Sequence, residues 1–279
     1  KDTVAPVVTI GSLLSNNTTS AAWARTGNQV TLGFTAMDDH LTAAATVTIA
    51  GNSQSVAVTS ATATSASYTL ASTVADGAVS YTVVTTDTAG NSTTVSTGAT
   101  GTVTVDNTAP TASMIKIVSG HTGYTAWATN GDTITLSYTL GDGSGIGPAV
   151  DSVIIAGLPA DAVTTSSASY ALTSANLSAD GAIPFTLKLK DALGNERSYA
   201  GTTDGSSVTI DRTAPTATVT GFSSTHLGYP AWATNGDTIS LTFSLTENGV
   251  GGATATNATT IAGQGVISYG ATSATYSVT

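Results

Sequence analysis

The chain has no cysteine and little charge: Lys, Arg, Asp and Glu make up 9% of its 279 residues. Without cysteine no disulfide supports the fold and no thiol chemistry is available. No run of about 18 apolar residues occurs, so no segment reads as a membrane span. Cations are the scarcer sign, 7 Lys plus Arg against 17 Asp plus Glu, for a net charge of −10. That balance argues against nucleic acid as a partner, because the phosphate backbone selects a basic face. No H-E-x-x-H, G-x-S-x-G or phosphate-cradling loop is present, and His40, His121 and His226 share neither one repeated position nor a short spacing. The glycine-rich GDGSGIG at 141–147 matches no nucleotide fingerprint and reads as a loop. No enzymatic activity is expected. Nor is disorder, since 41% of the residues are hydrophobic and net repulsion is modest. The chain starts at Lys1 without an initiator Met or signal peptide, as a processed product or an excerpt would.

A phrase of about a hundred residues is present three times. DTVAPV (2–7), DNTAPT (106–111) and DRTAPT (211–216) place prolines at Pro6, Pro110 and Pro215, spaced 104 (110 − 6) and 105 (215 − 110). GYTAWATNGDTITLSYTL (123–140) is nearly restated as GYPAWATNGDTISLTFSL (228–245), with a divergent copy, SAAWARTGNQVTLGFTA, at 20–36. The tryptophans Trp23, Trp127 and Trp232 repeat the spacings 104 and 105. Solenoid units are shorter, about 20–45 residues. A period this long is a small domain, so three are expected: 1–105, 106–210 and an incomplete 211–279.

Apolar residues alternate with period two. Ile134, Leu136, Tyr138 and Leu140 face one way, with Thr133, Thr135, Ser137 and Thr139 between them. That is a half-buried strand. Val30, Leu32 and Phe34 follow the same rule, as do Ile239, Leu241 and Phe243, and Val79, Tyr81 and Val83. In AIPFTLKLK (182–190), Ile183, Phe185, Leu187 and Leu189 are expected inside, with Lys188 and Lys190 outside. Further strands are expected at 112–118, 151–156, 168–172 and 206–210, and no segment has helical periodicity. About seven strands per repeat, separated by Gly, Asn, Asp and Pro clusters, predict an all-β fold of tandem immunoglobulin-like sandwiches. The abundant Thr suits strands that face water.

The D-x-T-A-P opening, the central G-D-T-[IV]-x-L strand and the late D-x-x-G-N, at Asp87–Asn91 and Asp191–Asn195, resemble the bacterial immunoglobulin-like domains found in tandem in large cell-surface proteins and biofilm adhesins. The resemblance covers the chain. It implies an extracellular, non-enzymatic role at the bacterial cell surface: a spacer that extends a distal element, with neighbouring repeats as partners. Other copies in a fibre or surface layer are further implied partners. The Cys–Trp framework of antibody domains is absent, so no antigen-receptor function follows.

Strand parity places the acids. If strand A starts at the upstream pole, strands B and F end there. Asp106 precedes A, Asp142 follows B and Asp191 ends F, so three carboxylates meet; Asp2, Asp38 and Asp87 match them in the first repeat, and Asp211 and Glu247 in the third. Asp76 and Asp180, each followed by Gly in the E–F loop, fall at the opposite pole, facing the next joint. Two readings stay open. Converging carboxylates with so few cations suit Ca²⁺, which takes six to eight oxygens. Asp is equally favoured as a turn cap. Asp132 and Asp237 open strand B at the far pole as plain Gly-Asp turns, and Ala-Pro is a stiff start to an edge strand.

Other features count for less. A Lys–Asn cross-link needs a core lysine in every repeat, and the third has no Lys. Ice binding needs regular Thr ranks on a flat face, which twisted strands do not offer. Exposed Trp23, Trp127 and Trp232, with Tyr124 and Tyr229, would suit a glycan, although one such residue per repeat reads first as packing. The B–C loops, 141–150 and 246–258, differ most between repeats and are the place for a recognition site. Sequons at Asn16, Asn17, Asn91, Asn176 and Asn257 arise easily in a Ser/Thr-rich chain. Tyr276 matches Tyr170 and Tyr68, so the third repeat reaches only strand E, which calls for strands from elsewhere.

Overall fold

The computed structural model describes residues 1–143, 146–175, 180–246, 260–261, 264–265, 268–269 and 273–278. The first repeat forms β1 (Val7–Ser15), β2 (Trp23–Ala24), β3 (Gln29–Met37), β4 (Ala44–Ile49), β5 (Asn52–Ala57), β6 (Ala63–Thr69), β7 (Gly77–Ala78), β8 (Tyr81–Thr86), β9 (Ser92–Val95) and β10 (Thr104–Val105). One sheet runs β1-β3-β6 and the facing sheet β5-β4-β8-β9, while a small sheet, β2-β10-β7, closes one end. The second repeat restates this. Thr111–Ser119, Thr133–Gly141, Ser167–Ala171 and Ala162–Val163 form one sheet, and Leu158–Pro159, Pro148–Ile155, Phe185–Asp191 and Glu196–Tyr199 the other. No helix long and apolar enough to cross a membrane occurs among the described residues.

The alternation settles which face is buried. Val30, Leu32, Phe34, Ile134, Leu136 and Tyr138 are all buried, and Ile183, Phe185, Leu187 and Leu189 point inward as expected. Each large apolar side chain removed from water contributes roughly 1.5–3 kcal/mol. Among the described residues the contacts close into two separate cores, one drawn from Ile10 to Val105 and the other from Ala112 to Ile210. Strand pairing repeats too: Val30, Ile134 and Ile239 oppose Tyr68, Tyr170 and Tyr276.

Two expectations needed adjustment. The first strand of each repeat carries a bulge, at Ile10/Leu13, Ser113/Lys116 and Val219/Gly221. In the second repeat Met114 takes φ 52° and points to solvent, which resets the phase so that Ile115 and Ile117 both face the core. Of 206–210, only Thr209–Ile210 is ladder. Ser206 instead offers its Oγ to the Ile117 N–H at 3.0 Å, a side-chain bond in place of a backbone rung.

The third repeat forms a sheet from Thr216–Ser224, Thr238–Thr246, Ser273–Ser277 and Ser268–Tyr269, plus a short pair, Thr260–Ile261 with Gln264–Gly265. Among the described residues it has no counterpart of β8, β9 or β10.

Candidate functional site

The last strand of each complete repeat delivers an aspartate to the next. The Asp106 N–H donates to Ala24 O at 2.9 Å and the Asp211 N–H to Ala128 O at 2.9 Å, so each acid continues the ladder of the repeat before it. Asp106 is fully buried (0% exposed) and its Oδ1 accepts the Thr108 N–H at 2.9 Å. Asp142 follows strand Thr133–Gly141, and Asp191 closes strand Phe185–Asp191 with 4% exposure. One carboxylate oxygen from each of Asp106, Asp142 and Asp191 lies within 4.8 Å of the other two. Three distant segments thus put acids at one pole, because successive antiparallel strands reverse the chain.

The D-x-x-G-N turn underpins this pole. Asp191 accepts the Asn195 backbone N–H at 2.8 Å and its Nδ2 at 2.7 Å, and the same amide nitrogen donates to Asp106 O at 3.1 Å. Asp87 and Asn91 repeat the pair at 2.8 and 2.7 Å, with Asn91 Nδ2 reaching Asp2 O at 3.4 Å and Val4 O at 3.3 Å. The turn therefore ties the F strand to the linker. Burial pushes the Asp87 carboxyl up, but the Asn91 amide and the backbone N–H groups of Asn91, Ala89 and Gly90 outweigh it and hold the group below its ordinary range.

In the first repeat the grouping differs. Asp2 and Asp38 converge with His40 rather than with Asp87. Asp38 Oδ1 accepts the His40 N–H at 2.7 Å, which curls the loop and brings Nδ1 to 3.7 Å from Asp2 Oδ2. Asp87 is engaged by Asn91 instead. The donor sets therefore differ: three carboxylates at the second repeat suit a hard cation, whereas a ring nitrogen does not.

Asp76 and Asp180 lie at the joints as clamps on the linker. Asp76 accepts the Asn107 N–H at 2.7 Å and the Thr108 hydroxyl; Asp180 accepts the Arg212 N–H at 2.9 Å and the Thr213 hydroxyl at 2.6 Å. Asp211 Oδ1 caps the Thr213 N–H at 3.0 Å. Glu247 and most of the 246–258 loop lie outside the described residues, as do 144–145 within GDGSGIG.

The opposite pole holds a pair that sequence reading missed. His121 Nδ1 lies 2.8 Å from Asp132 Oδ2, and His226 Nδ1 2.9 Å from Asp237 Oδ2. These histidines are 105 apart (226 − 121), the tryptophan spacing, so two of the three do share a repeated position. The first repeat hides the pattern by placing amides there: Asn17 Nδ2 donates to Asn28 Oδ1 at 3.2 Å. Asp132 and Asp237 are therefore more than plain turn residues. Trp23 and Trp127 are half-buried beside the final strand of their repeats, whereas Trp232 is 71% exposed.

No family model matches the chain, and no curated protein does. Solved structures similar to it include fibronectin(III)-like modules of Clostridium thermocellum CbhA (15% identity, 73% of this chain and 93% of that one, TM-score 0.30). A structure from a 1.5-MDa bacterial ice-binding adhesin, described for its host cell surface retention, matches at 20% identity over 88% of this chain and 78% of that one, TM-score 0.46. The Ig1-2 module of the Drosophila receptor protein tyrosine phosphatase DLAR matches at 10% identity, 74% and 97% coverage and TM-score 0.25. The fold itself is given by the sheets described above: two successive all-β sandwiches of one design, followed by the first sheet of a third repeat.

Proposed function

We propose that the chain is a non-enzymatic spacer of an extracellular bacterial surface protein or adhesin, holding a distal element away from the cell, with Ca²⁺ stiffening its joints. One observation carries this: the ladder of one repeat runs straight into Asp106, the buried acid that meets Asp142 and Asp191 at the head of the next. A cation there would bind the end of one sandwich to two loops of its neighbour. Its donors are all oxygen, as Ca²⁺ requires, and it would offset the repulsion of acids gathered away from water. The extracellular placement is supported by composition, a cysteine-free, Ser/Thr-faced chain with few cations.

Calcium titration of the three-repeat chain, followed by small-angle scattering and melting, tests this. Ca²⁺ should lengthen and stiffen the particle and raise Tm, with stabilisation of about 2.7 kcal/mol at a hundredfold excess over Kd. Asp106→Ala with Asp142→Ala should abolish both effects. If neither shape nor Tm responds in the parent chain, the acids are turn caps and the metal part of the reading is lost.

A second reading, a fibre or surface-layer subunit that accepts strands from another chain, draws support from the third repeat. There Phe222 is 65% exposed at a position where Ile117 is 2% exposed. Sedimentation across a hundredfold concentration range separates the two, because a pure spacer stays monomeric. Glycan binding through the B–C loops has no supporting contact among the described residues.

A further inference from the structure

The first joint is held by protein contacts that owe nothing to a cation. Arg25, just past β2, sends Nη1 across to Gly194 O at 2.7 Å. Thr19 Oγ1 donates to Ala192 O of the same turn at 3.1 Å. Asn107 is fastened on two sides: its Oδ1 accepts the Thr26 N–H and hydroxyl at 2.7 and 2.9 Å, and its Nδ2 donates to Val74 O at 3.2 Å. The loop 16–28 is thus a seat, and what it receives is the outer face of the next repeat's D-x-x-G-N turn.

The fit has a specific requirement. Gly194 adopts φ +89°, a conformation that side chains disfavour, and a Cβ there would meet Arg25 Nη1 at 3.3 Å. Glycine suits the positive φ of the turn, and a side chain there would press on the guanidinium. The carbonyl acceptors are aimed outward because Asp191 and Asn195 lock the inside of the turn. A charged donor on a carbonyl is among the stronger neutral-acceptor hydrogen bonds, and truncating it leaves the carbonyl facing a gap.

The repeats differ where this seat matters. Thr129 stands at the position of Arg25 and Gly123 at that of Thr19, so the loop of the second repeat carries neither of the two side chains that reach the turn. Conversely, Gly90 in the first repeat has φ +92° and open space around its Cβ position, so its turn presents the same face uncovered.

We infer that Arg25 is a latch by which one repeat recognises the D-x-x-G-N turn of another, stiffening the joint it spans. The partner it fits is an immunoglobulin-like repeat with glycine at the fourth position of that turn. The bare Asp87–Asn91 turn is the matching surface for a repeat that carries arginine at the Arg25 position. The latch bears on the spacer reading only through its purpose; the contact itself needs no metal.

The absence of native cysteine makes the test direct. Spin labels at Ser53→Cys and Ser198→Cys span the first joint, and at Ser198→Cys and Ser223→Cys the second. In calcium-free buffer the first pair should give a narrow distance distribution. Arg25→Ala should broaden it about twofold, leave the second pair unchanged and leave Tm within error. Gly194→Ala should broaden it likewise. A first-joint distribution that Arg25→Ala does not alter overturns the latch. Calorimetry with Ca²⁺ on the same variants keeps the two ideas apart. Retained heat without stiffness in Arg25→Ala leaves the metal reading intact, and broadening in a chain that binds no Ca²⁺ leaves the latch standing alone.

Discussion

The second and third repeats share almost the same strand, DTITLSYTL and DTISLTFSL, yet the structure treats them differently. Ile134 and Leu136 are fully buried; Ile239 and Leu241 are only half so. The pairing is the same, Ile117 with Leu136 and Phe222 with Leu241. What differs is the opposing layer. Strands Phe185–Asp191 and Glu196–Tyr199 cover the second repeat, and among the described residues the third has no counterpart of either. Alternation within a strand therefore sets which side is apolar, while burial is a property of the second sheet.

The largest expected effect tests that separation. Leu136→Ala should destabilise the second repeat by about 2–5 kcal/mol, the cost of lost transfer energy plus a cavity. Leu241→Ala should cost the third clearly less, about 1 kcal/mol, since part of that side chain already meets water. Hydrogen exchange resolved by peptide reads each repeat separately. Equal losses would mean that the third repeat has a covering layer.

A smaller effect is local to the far pole of the third repeat. Asp237 is held below the ordinary carboxylate range by the Thr234 N–H and then by His226, against a lesser push upward from burial. A depressed carboxyl contributes stability that is complete above its unfolded pKa, about 3.9, and is lost as pH falls through the lower folded value. Asp237→Asn should therefore flatten the acid limb of the third repeat's unfolding below about pH 4. The first repeat, with Asn28 there, is a built-in control. An acid limb that Asp237→Asn leaves unchanged would show that the Thr234 and His226 contacts do not hold this carboxylate in the folded state.

Much of this was legible because repeats expose what they hold in common. The alternation picked out Ile134, Leu136, Leu187 and Leu189, and strand parity alone brought Asp106, Asp142 and Asp191 together. Features present in only one or two copies escaped. His121 and His226 were hidden by Asn17, which makes a similar bond without a charge. His40 entered its cluster through an Asx-type turn at Asp38 that parity does not describe. Arg25 had no echo at Thr129, so nothing in the pattern marked it, and its partner is a backbone carbonyl, which leaves no trace in residue identity. The bulge at Met114 was invisible because a one-residue phase change in a mixed apolar run looks like ordinary variation.

The least consequential difference lies on the outer face of the covering sheet. The second repeat bridges its strands with ions: Lys188 Nζ sits 3.2 Å from Asp151 and 2.9 Å from Glu196, and Lys190 Nζ 3.1 Å from Glu196. The bonds to Glu196 and then Asp151 hold the Lys188 ammonium above its usual range, and Lys188 and then Lys190 hold Glu196 below its own. The first repeat uses hydroxyls on the matching strands, Thr86 to Ser92 at 3.2 Å. Exposed ion pairs are screened over about 10 Å at 0.1 M salt and contribute little. Lys188→Met should lower the stability of the second repeat slightly at low ionic strength and not at all in 1 M NaCl, while Thr86→Val in the first should show no salt dependence. A salt-independent loss at Lys188 would mean that its aliphatic stem, lying across the sheet, matters more than its charge. The ion ladder would then be packing, equivalent to the hydroxyl rungs of the first repeat.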